Sequence, residues 1–258
     1  MPLDLLYICL GAGVGIVVGL TGVGGGSLMT PALVLLFGIH PVTAVGTDLL
    51  YAATTKSAGS IVHALRMNVA WRVVALLSLG SVPVAVATLV VLAQLGPQSG
   101  LMAKVVTMVL GGALLLTSIL LVFRRWLLRL RGSGSMPNLR RDGLLTVATG
   151  AVIGLLVSVS SVGAGAIGVT ALLMLYPAYP TVRIVGTDIA HAVPLTLVAG
   201  LGHWLAGSVD LSMLLSLLAG SIPGIVLGSY LAPRVPERGL RLALAGVLMV
   251  VGVKLLAS

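Results

Sequence analysis

The sequence has 258 residues, of which 58% are hydrophobic and 8% charged, with 15 Lys and Arg against 6 Asp and Glu. A soluble protein is about one quarter charged, so this composition excludes an ordinary soluble domain. Apolar runs of about 20 residues, each able to cross a hydrocarbon layer of ~30 Å, recur along the chain. They predict an all-α, polytopic helical membrane protein, because a β-barrel would alternate apolar and polar residues.

The beginning of the chain is interpreted as part of the first membrane segment. Met1 to Tyr7 contains no basic region and no small-residue cleavage pattern before the next apolar stretch, unlike a removable signal. The single cysteine, Cys9, lies in this segment. One cysteine excludes an intramolecular disulfide and a Cys/His zinc site, so a packing role is expected.

Each half of the chain is predicted to contain five segments, giving 8 to 10 membrane helices. In the first half they cover residues 3–20, about 27–37, about 45–64, about 69–92 and about 101–123. In the second half they cover residues 143–161, 166–175, 184–205, 211–231 and 239–257. The second segment of each half has about 11 residues, which span only ~17 Å as a helix. These two segments are therefore expected to belong to broken or re-entrant, Gly-rich elements.

The two halves are copies of one another. Gly22 to Asp48 returns in a weaker form at Val162 to Asp188, with one extra residue near Pro180. The match extends outward, where Gly80-Ser81-Val82-Pro83 pairs with Gly220-Ser221-Ile222-Pro223. Each copy covers about half of the chain, which indicates an internal duplication rather than an array of short repeats.

Basic residues predict the orientation in the membrane. Six of the 15 lie in the stretch that joins the halves: Arg124, Arg125, Arg129, Arg131, Arg140 and Arg141. Clustered basic residues in a short loop mark the cytoplasmic side. The net charge of +9 is therefore a topology signal, and no nucleic-acid partner is predicted. The predicted organisation is a first repeat at 1–123, a basic cytoplasmic linker at 124–142 and a second repeat at 143–258.

The same charge bias holds in both halves only if each half crosses the membrane an odd number of times. An odd number inserts the second copy upside down. We therefore predict two inverted-topology repeats in the cytoplasmic (inner) membrane, with both termini outside. In such proteins the substrate site lies near the membrane midplane, where broken helices meet.

Two glycine-rich stretches could form an anion site. A helix break followed by a new helix exposes free N–H groups and the positive end of a helix dipole, and glycine permits such a break. Two such ends could converge on one anion. Close helix packing is the alternative, and it suffices for the small-residue series Gly11, Gly15 and Gly19. The candidate ligands at the two breaks are Gly24, Gly25, Gly26, Ser27, Gly163 and Gly165.

Lys56 lies near mid-depth of the predicted third segment. A cation there costs about 3 kcal/mol and normally faces a cavity or a partner. Its counterpart in the second half is Thr196, so the charge is not a common scaffold feature. An anion-facing role is favoured over an ion pair with an aspartate or snorkelling to the surface. The hydroxyl residues expected to join it at the site are Thr47, Thr54, Ser57 and Thr187.

Asp48 and Asp188 lie near the start of the predicted third segment of each half. Aspartate is a good cap or first-turn residue, and this structural role is the favoured interpretation. Proton coupling through one of them is the alternative. His191 could also titrate near neutral pH, although a hydrogen-bonded packing role is more common for a lone membrane histidine.

No enzyme signature is present. Ser27 lies in no nucleophile motif, the four histidines lack metal-ligand spacing, and there is no Walker A pattern. The sequence therefore predicts a protein that is not an enzyme and has no cofactor and no bound metal.

These motifs resemble those of the TauE/SafE family of sulfite exporters and organosulfonate permeases. The resemblance is carried by Gly22 to Ser27, by Pro31-Ala32-Leu33 leading to Phe37-Gly38, by Pro41 to Thr47, and by the second copy of these motifs. It covers the whole chain. In the second glycine run Ala164 replaces the counterpart of Gly25.

The resemblance implies a secondary transporter that moves a small sulfur-containing anion such as sulfite, sulfoacetate or taurine by alternating access, with export expected. Its partners would be that anion and membrane lipids, with a homodimer left open. Two alternatives remain. A cation or metal permease would use Asp48 and Asp188 as ligands, and a non-transporting membrane scaffold would move no solute.

Overall fold

The structure, a computed structural model, describes residues 4–21, 26–95, 99–129, 139–231 and 237–257. These residues form ten helices and no strand, which confirms the all-α prediction. The helices are α1 (Leu5–Thr21), α2 (Gly26–Phe37), α3 (Pro41–Leu65), α4 (Trp71–Leu95), α5 (Gly100–Arg129), α6 (Leu139–Ser160), α7 (Ala166–Leu175), α8 (Thr181–Leu205), α9 (Leu211–Leu231) and α10 (Glu237–Ala257).

Six helices in the described ranges are long and apolar enough to cross a membrane: α4, α5, α6, α8, α9 and α10. Helix α3 has 25 residues, enough to cross by length, but Asp48, Lys56 and several hydroxyl residues make it less apolar. Helices α2 and α7 have 12 and 10 residues, as predicted for the short second segment of each half. Large hydrophobic side chains on the outward faces are exposed, as a lipid-facing surface requires.

The helices extend beyond the predicted segments at several ends. Helix α5 continues to Arg129 and α6 begins at Leu139, so both ends of the predicted linker are helical. Arginine and leucine are good helix formers, and a helix can continue after it leaves the apolar layer. Helix α3 begins four residues earlier than predicted, at Pro41, because proline fits the first turn of a helix. The Gly-Ser centre of the linker lies outside the described residues.

The duplicated sequence folds with duplicated packing. Helix α1 packs against α9, and α6, the counterpart of α1, packs against α4, the counterpart of α9. Helix α3 packs against its own counterpart α8, and α5 against its counterpart α10. A main hydrophobic cluster fills the space between α3, α4, α5, α6 and α8.

The counterpart helices α3 and α8 run antiparallel. Gly46, near the start of α3, lies against His203, near the end of α8. Gly186, near the start of α8, lies against His63, near the end of α3. An inverted repeat requires antiparallel counterparts of this kind. The orientation of the two halves in a membrane stays a prediction.

Close packing of α1 on α9 depends on glycines. A Cβ at Gly15 would lie 2.6 Å from the carbonyl oxygen of Ser221, well inside van der Waals contact. The predicted packing role of the glycine series in α1 is confirmed, because a Cβ would overlap the backbone of α9 at Gly11, Gly15 and Gly19.

Replacing Gly15 with alanine is expected to lower the melting temperature of the purified protein in detergent. The added methyl group must push α1 away from the backbone of α9, and overpacking of this kind costs ~1–3 kcal/mol. The matched control is Gly13→Ala, because nothing lies within 4 Å of a Cβ at Gly13. Alanine at that position should leave the melting temperature unchanged or raise it slightly, since alanine is the better helix former. Identical melting curves for the two variants would contradict the packing role of Gly15.

Candidate functional site

The predicted helix break in the second half lies between α6 and α7. Helix α6 ends at Ser160 and α7 begins at Ala166. Gly163 and Gly165 both adopt φ of 134°, a conformation that is strained for residues with a side chain. The glycines therefore interrupt the helix where the sequence predicts it. In the first half, Gly24 and Gly25 lie outside the described residues, and Gly26 begins α2.

The start of α2 packs against the α6–α7 break. A Cβ at Gly26 would overlap the carbonyl oxygen of Ser161 and lie 3.0 Å from its Oγ atom. Both Gly26 and Ser27, the first two residues of α2, are buried. Because Gly26 and Ser161 come from opposite halves, the start of α2 meets the break of the other half in the interior, next to the end of α6.

The Lys56 side chain reaches the same break. Its Nζ atom donates a hydrogen bond of 3.1 Å to the carbonyl oxygen of Ala164. Lys56 is close enough to Asp48 and Asp188 for both charges to act on it, yet it forms no ion pair within 4.0 Å with either. The ion pair considered as an alternative role for Lys56 is therefore absent from this conformation.

Asp48 is buried well inside α3. Its side chain is 0% exposed, and its Oδ2 atom accepts a hydrogen bond from the hydroxyl of Thr30 in α2. Its Oδ1 atom and the Oγ atom of Ser161 have no hydrogen-bond partner among the described residues, although Ser161 approaches the carboxylate. Asp48 thus links α3 to the start of α2 and to the break of the other half.

Asp188 is buried in α8, but it lacks the hydroxyl donor that Asp48 receives from Thr30. Its side chain is 2% exposed, and no described residue donates a hydrogen bond to its Oδ1 atom. This oxygen packs directly on the backbone of α7, because a Cβ at Gly168 would overlap it. In the second half Val169 replaces Thr30, so no hydroxyl is available at the corresponding position.

The capping interpretation of Asp48 and Asp188 is wrong. Helix α3 begins at Pro41 after His40, and α8 begins at Thr181 after Pro180, so each aspartate lies about two turns inside its helix. A residue so far from the end of a helix cannot accept hydrogen bonds from its first N–H groups. Both carboxyl groups are instead buried at mid-helix, where an ionisable side chain indicates function.

Thr47 and Thr187 bind backbone N–H groups of the opposite half. The Oγ1 atom of Thr47 accepts a hydrogen bond of 3.1 Å from the N–H of Asp210, directly before α9. The Oγ1 atom of Thr187 accepts one of 2.9 Å from the N–H of Ala70, directly before α4. The two equivalent threonines therefore fix equivalent helix starts.

His191 and Tyr51 occupy equivalent positions and bind equivalent serines. The Nε2 atom of His191 lies 2.8 Å from Ser81 Oγ, and the hydroxyl of Tyr51 lies 2.6 Å from Ser221 Oγ. All four side chains are buried. The hydrogen-bonded packing role predicted for His191 is present, although its Nδ1 atom has no partner in the part of the chain that the structure describes.

The hydrogen bonds of the Thr54 and Ser57 hydroxyl groups stay within α3 and do not reach the α6–α7 break. The Thr54 hydroxyl donates to the carbonyl oxygen of Leu50 at 2.9 Å, and the Ser57 hydroxyl donates to that of Ala53 at 2.7 Å. Both acceptors lie one turn earlier in α3. Their role as substrate ligands stays a prediction.

Three residues around the break were not singled out from the sequence: Thr30, Ser161 and Gly168. None of them belongs to a recognisable motif, and each acts through a neighbour that is distant along the chain. Thr30 carried the only available signal, since it lies one turn into the short segment that follows the glycines. A hydroxyl at that place in one copy, but not in the other, marks an asymmetric site.

A separate cavity of about 640 Å³ lies between α1, α2 and α10. Its lining is apolar apart from a few atoms such as those of Ser27 and Cys9. An anion would gain no charge partner and few hydrogen bonds there, so the polar group at the α6–α7 break is the better candidate site for an anion.

The known proteins that are similar to this chain are described as membrane transporters. The family model described as Sulfite exporter TauE/SafE matches residues 7–255. The probable membrane transporter protein YjnA of Bacillus subtilis is 38% identical over 257 residues, which cover 98% of this chain and 100% of the relative. A probable membrane transporter protein of Xylella fastidiosa is 28% identical over 248 residues, covering 91% of this chain and 87% of the relative. No solved structure matches the chain significantly. The match over nearly the whole chain shows that this protein is a membrane transporter of the TauE/SafE family.

Proposed function

We propose that the protein is a secondary transporter of a small sulfur-containing anion such as sulfite or sulfoacetate, or of the zwitterionic sulfonate taurine. It would act by alternating access in the cytoplasmic (inner) membrane, with export as the net direction. The observation that carries this proposal is the position of the Lys56 ammonium group at the α6–α7 break, where the start of α2 from the other half also packs.

The chemistry of the break suits an anion. The first N–H groups of a helix have no acceptor within that helix, and the helix dipole makes this end positive. The starts of α2 and α7 supply two such ends, and Lys56 adds a full positive charge beside them. An oxyanion could exchange its hydration shell for these donors. The predicted ligands at these ends are Gly24, Gly25, Gly26, Ser27, Gly163 and Gly165.

Within α3, Thr54 and Ser57 remain candidate ligands beside Lys56. For Thr47 and Thr187 the contacts favour a positioning role, because their hydroxyl groups hold the backbone before α9 and α4. They would keep the two halves in register around the site without touching the substrate.

Alternating access would use the duplicated architecture. Two inverted repeats, at 1–123 and 143–258, would rock around the break while the basic linker stays cytoplasmic and both termini lie outside. The antiparallel packing of α3 on α8 and the repeated pairing of α1 with α9 and α6 with α4 support this arrangement.

Counterflow in liposomes tests the proposal. Purified protein is reconstituted into liposomes loaded with unlabelled sulfoacetate, sulfite or taurine, and uptake of the same labelled compound is followed at equal pH on both sides. We expect saturable exchange of at least one of these compounds, absent from protein-free liposomes, with little competition from chloride. Exchange of none of them would overturn the proposed substrate class.

A cation permease is the second candidate. The two buried aspartates and one lysine leave an excess negative charge that a cation could balance. In the described ranges, however, no three His, Cys, Asp or Glu side chains are grouped to hold a metal ion. A cation current across the same liposomes, together with absence of anion exchange, would favour this second function.

A further inference from the structure

The buried centre has an unbalanced charge. Lys56, Asp48 and Asp188 are the ionisable groups whose charges interact there, and together they sum to one negative charge when all are ionised. A substrate anion adds further negative charge to a region where unbalanced charge is expensive. On the proposed function, binding of the anion therefore makes the centre more negative, and a proton taken up together with the anion would lower that charge by one.

The two aspartates differ in their hydrogen-bond donors. The Oδ2 atom of Asp48 receives a hydrogen bond from Thr30, a donor suited to an ionised carboxylate, whereas its Oδ1 atom has no donor among the described residues. Asp188 has Val169 in place of that threonine, and no described residue donates to its Oδ1 atom. An ionised oxygen without a donor is costly to bury, whereas a protonated carboxyl group carries no charge. Asp48 and Asp188 occupy equivalent positions in the two copies of the sequence, but their different hydrogen-bond donors favour different roles.

The space around Asp188 favours a proton over a metal ion. Its Oδ1 atom packs on the backbone of α7 so closely that a single Cβ at Gly168 would overlap it. A Ca²⁺ or Mg²⁺ ion requires at least six oxygen ligands at ~2.0–2.6 Å. On the side of this oxygen that faces Gly168 there is no room for an ion with its further ligands, whereas a proton requires almost no additional volume.

We propose that Asp188 is a proton-binding site loaded together with the substrate anion, and that Asp48 remains the counter-charge of Lys56. This inference rests on the proposed function and makes the protein a proton–anion symporter. The proton adds to the Asp188 carboxylate from the solution on the loading side and leaves to the solution on the other side. At 2% exposure, Asp188 is closed off from both solutions in this conformation, as an alternating-access carrier requires.

Lys56 is the charged group that acts on Asp188, from the adjacent helix α3. His191 is the rival proton site, because it lies one turn further along α8 with an Nδ1 atom that no described residue binds. Helix α7 contributes no ionisable residue, and α6 carries its ionisable residues only at 140–142. The remaining ionisable residues on α8 and on the helices packed against it are Asp48, Tyr51, His63, Arg72, Arg183 and His203.

A pH gradient across liposomes tests the inference. Labelled sulfoacetate is supplied on both sides at equal concentration, and valinomycin with equal K⁺ holds the voltage at zero. With the outside one pH unit more acid, symport of one proton predicts about tenfold accumulation inside, since one pH unit is worth ~1.4 kcal/mol, a tenfold ratio. In Asp188→Asn we expect this ratio to fall to about one while exchange of labelled for unlabelled sulfoacetate remains detectable.

The matched control is Asp210→Asn. Asp210 lies outside the bundle centre and its Oδ1 atom accepts a hydrogen bond of 2.9 Å from the N–H of Met213, a role that asparagine also fills. This variant should keep the tenfold accumulation. Accumulation retained by Asp188→Asn would overturn the inference, and its loss in His191→Gln alone would assign the proton to His191.

A second measurement on the unmodified protein guards against a misfolded variant. Addition of sulfoacetate to liposomes at equal pH should make the outer solution more alkaline, as one proton enters with each anion. Counterflow without any proton uptake would overturn the inference and leave anion transport intact. Absence of counterflow would instead overturn the proposed function itself, so the two failures are distinguishable.

Symport is compatible with export. Sulfoacetate carries two negative charges, so its movement with one proton transfers a net negative charge. An inside-negative membrane potential drives that charge outward, while an inward proton gradient opposes it. The net direction in a cell would therefore follow from the balance of these two forces.

Discussion

Replacing Lys56 with methionine is expected to lower anion exchange at least ~100-fold. The substitution removes the ammonium group from the α6–α7 break and leaves Asp48 and Asp188 without their counter-charge. Loss of the counter-charge leaves buried negative charge uncompensated, which costs up to ~3–5 kcal/mol, and each ~1.4 kcal/mol is a factor of ten. Methionine fills a similar volume, so the packing of α3 is largely kept. Counterflow of labelled sulfoacetate at equal protein content measures the effect.

Two further variants separate transport from folding. Lys254→Met removes an exposed lysine from the last turn of α10 and should exchange at the rate of the unmodified protein. The double variant Lys56→Met with Asp48→Asn removes one of the two buried negative charges. It should regain part of the melting temperature lost by Lys56→Met but none of the transport. Exchange near the normal rate in either Lys56 variant would show that this lysine does not serve the anion.

Replacing Gly26 with alanine is expected to reduce exchange tenfold or more. A Cβ at this position would overlap the carbonyl oxygen of Ser161, so α2 must move away from the α6–α7 break. Overpacking against backbone costs ~1–3 kcal/mol, and the displacement also separates the two helix starts that are proposed to share the anion. The affinity for the anion, measured as the concentration for half-maximal counterflow, should weaken along with the rate.

The matched control for this variant is Gly112→Ala in α5, where nothing lies within 4 Å of a Cβ. It adds the same methyl group to a helical glycine without a neighbour to displace, and it should leave exchange unchanged. Normal exchange and affinity in Gly26→Ala would contradict a site formed where the start of α2 meets the α6–α7 break.

The segments were predictable because they depend on local properties. Apolar runs, polar loops and glycine clusters appear directly in the sequence, and the duplication repeated each signal. The short helices α2 and α7 and the break at Gly163 and Gly165 follow from the low helix propensity of glycine and its access to positive φ. The predicted segment ends differ from the observed helix ends mainly where α5 and α6 continue into basic sequence. Hydropathy marks the end of the apolar layer and not the end of a helix.

The roles of the aspartates were not predictable in the same way. The sequence before each aspartate allowed a helix to start at any of several positions. Helix α3 begins at Pro41, four residues before its predicted start, and α8 begins at Thr181, three residues before its predicted start. Each carboxyl group therefore lies about two turns inside its helix and is buried, instead of capping it. The difference between them then depends on α2 and α7, which contribute Thr30 on one side and Gly168 on the other.

The sequence alone predicts a duplicated helical membrane protein with two glycine-rich stretches and one lysine near the middle of the third helix. These features are local, or repeat at a constant spacing, so no knowledge of contacts is required. The tertiary structure alone decided what surrounds that cation. Lys56 and Ala164 are 108 residues apart and meet only because α3 packs against the other half of the molecule. Small residues in a sequence mark a packing face, but which helix packs against it depends on shape complementarity between distant parts of the chain, and no local stretch of sequence specifies that partner.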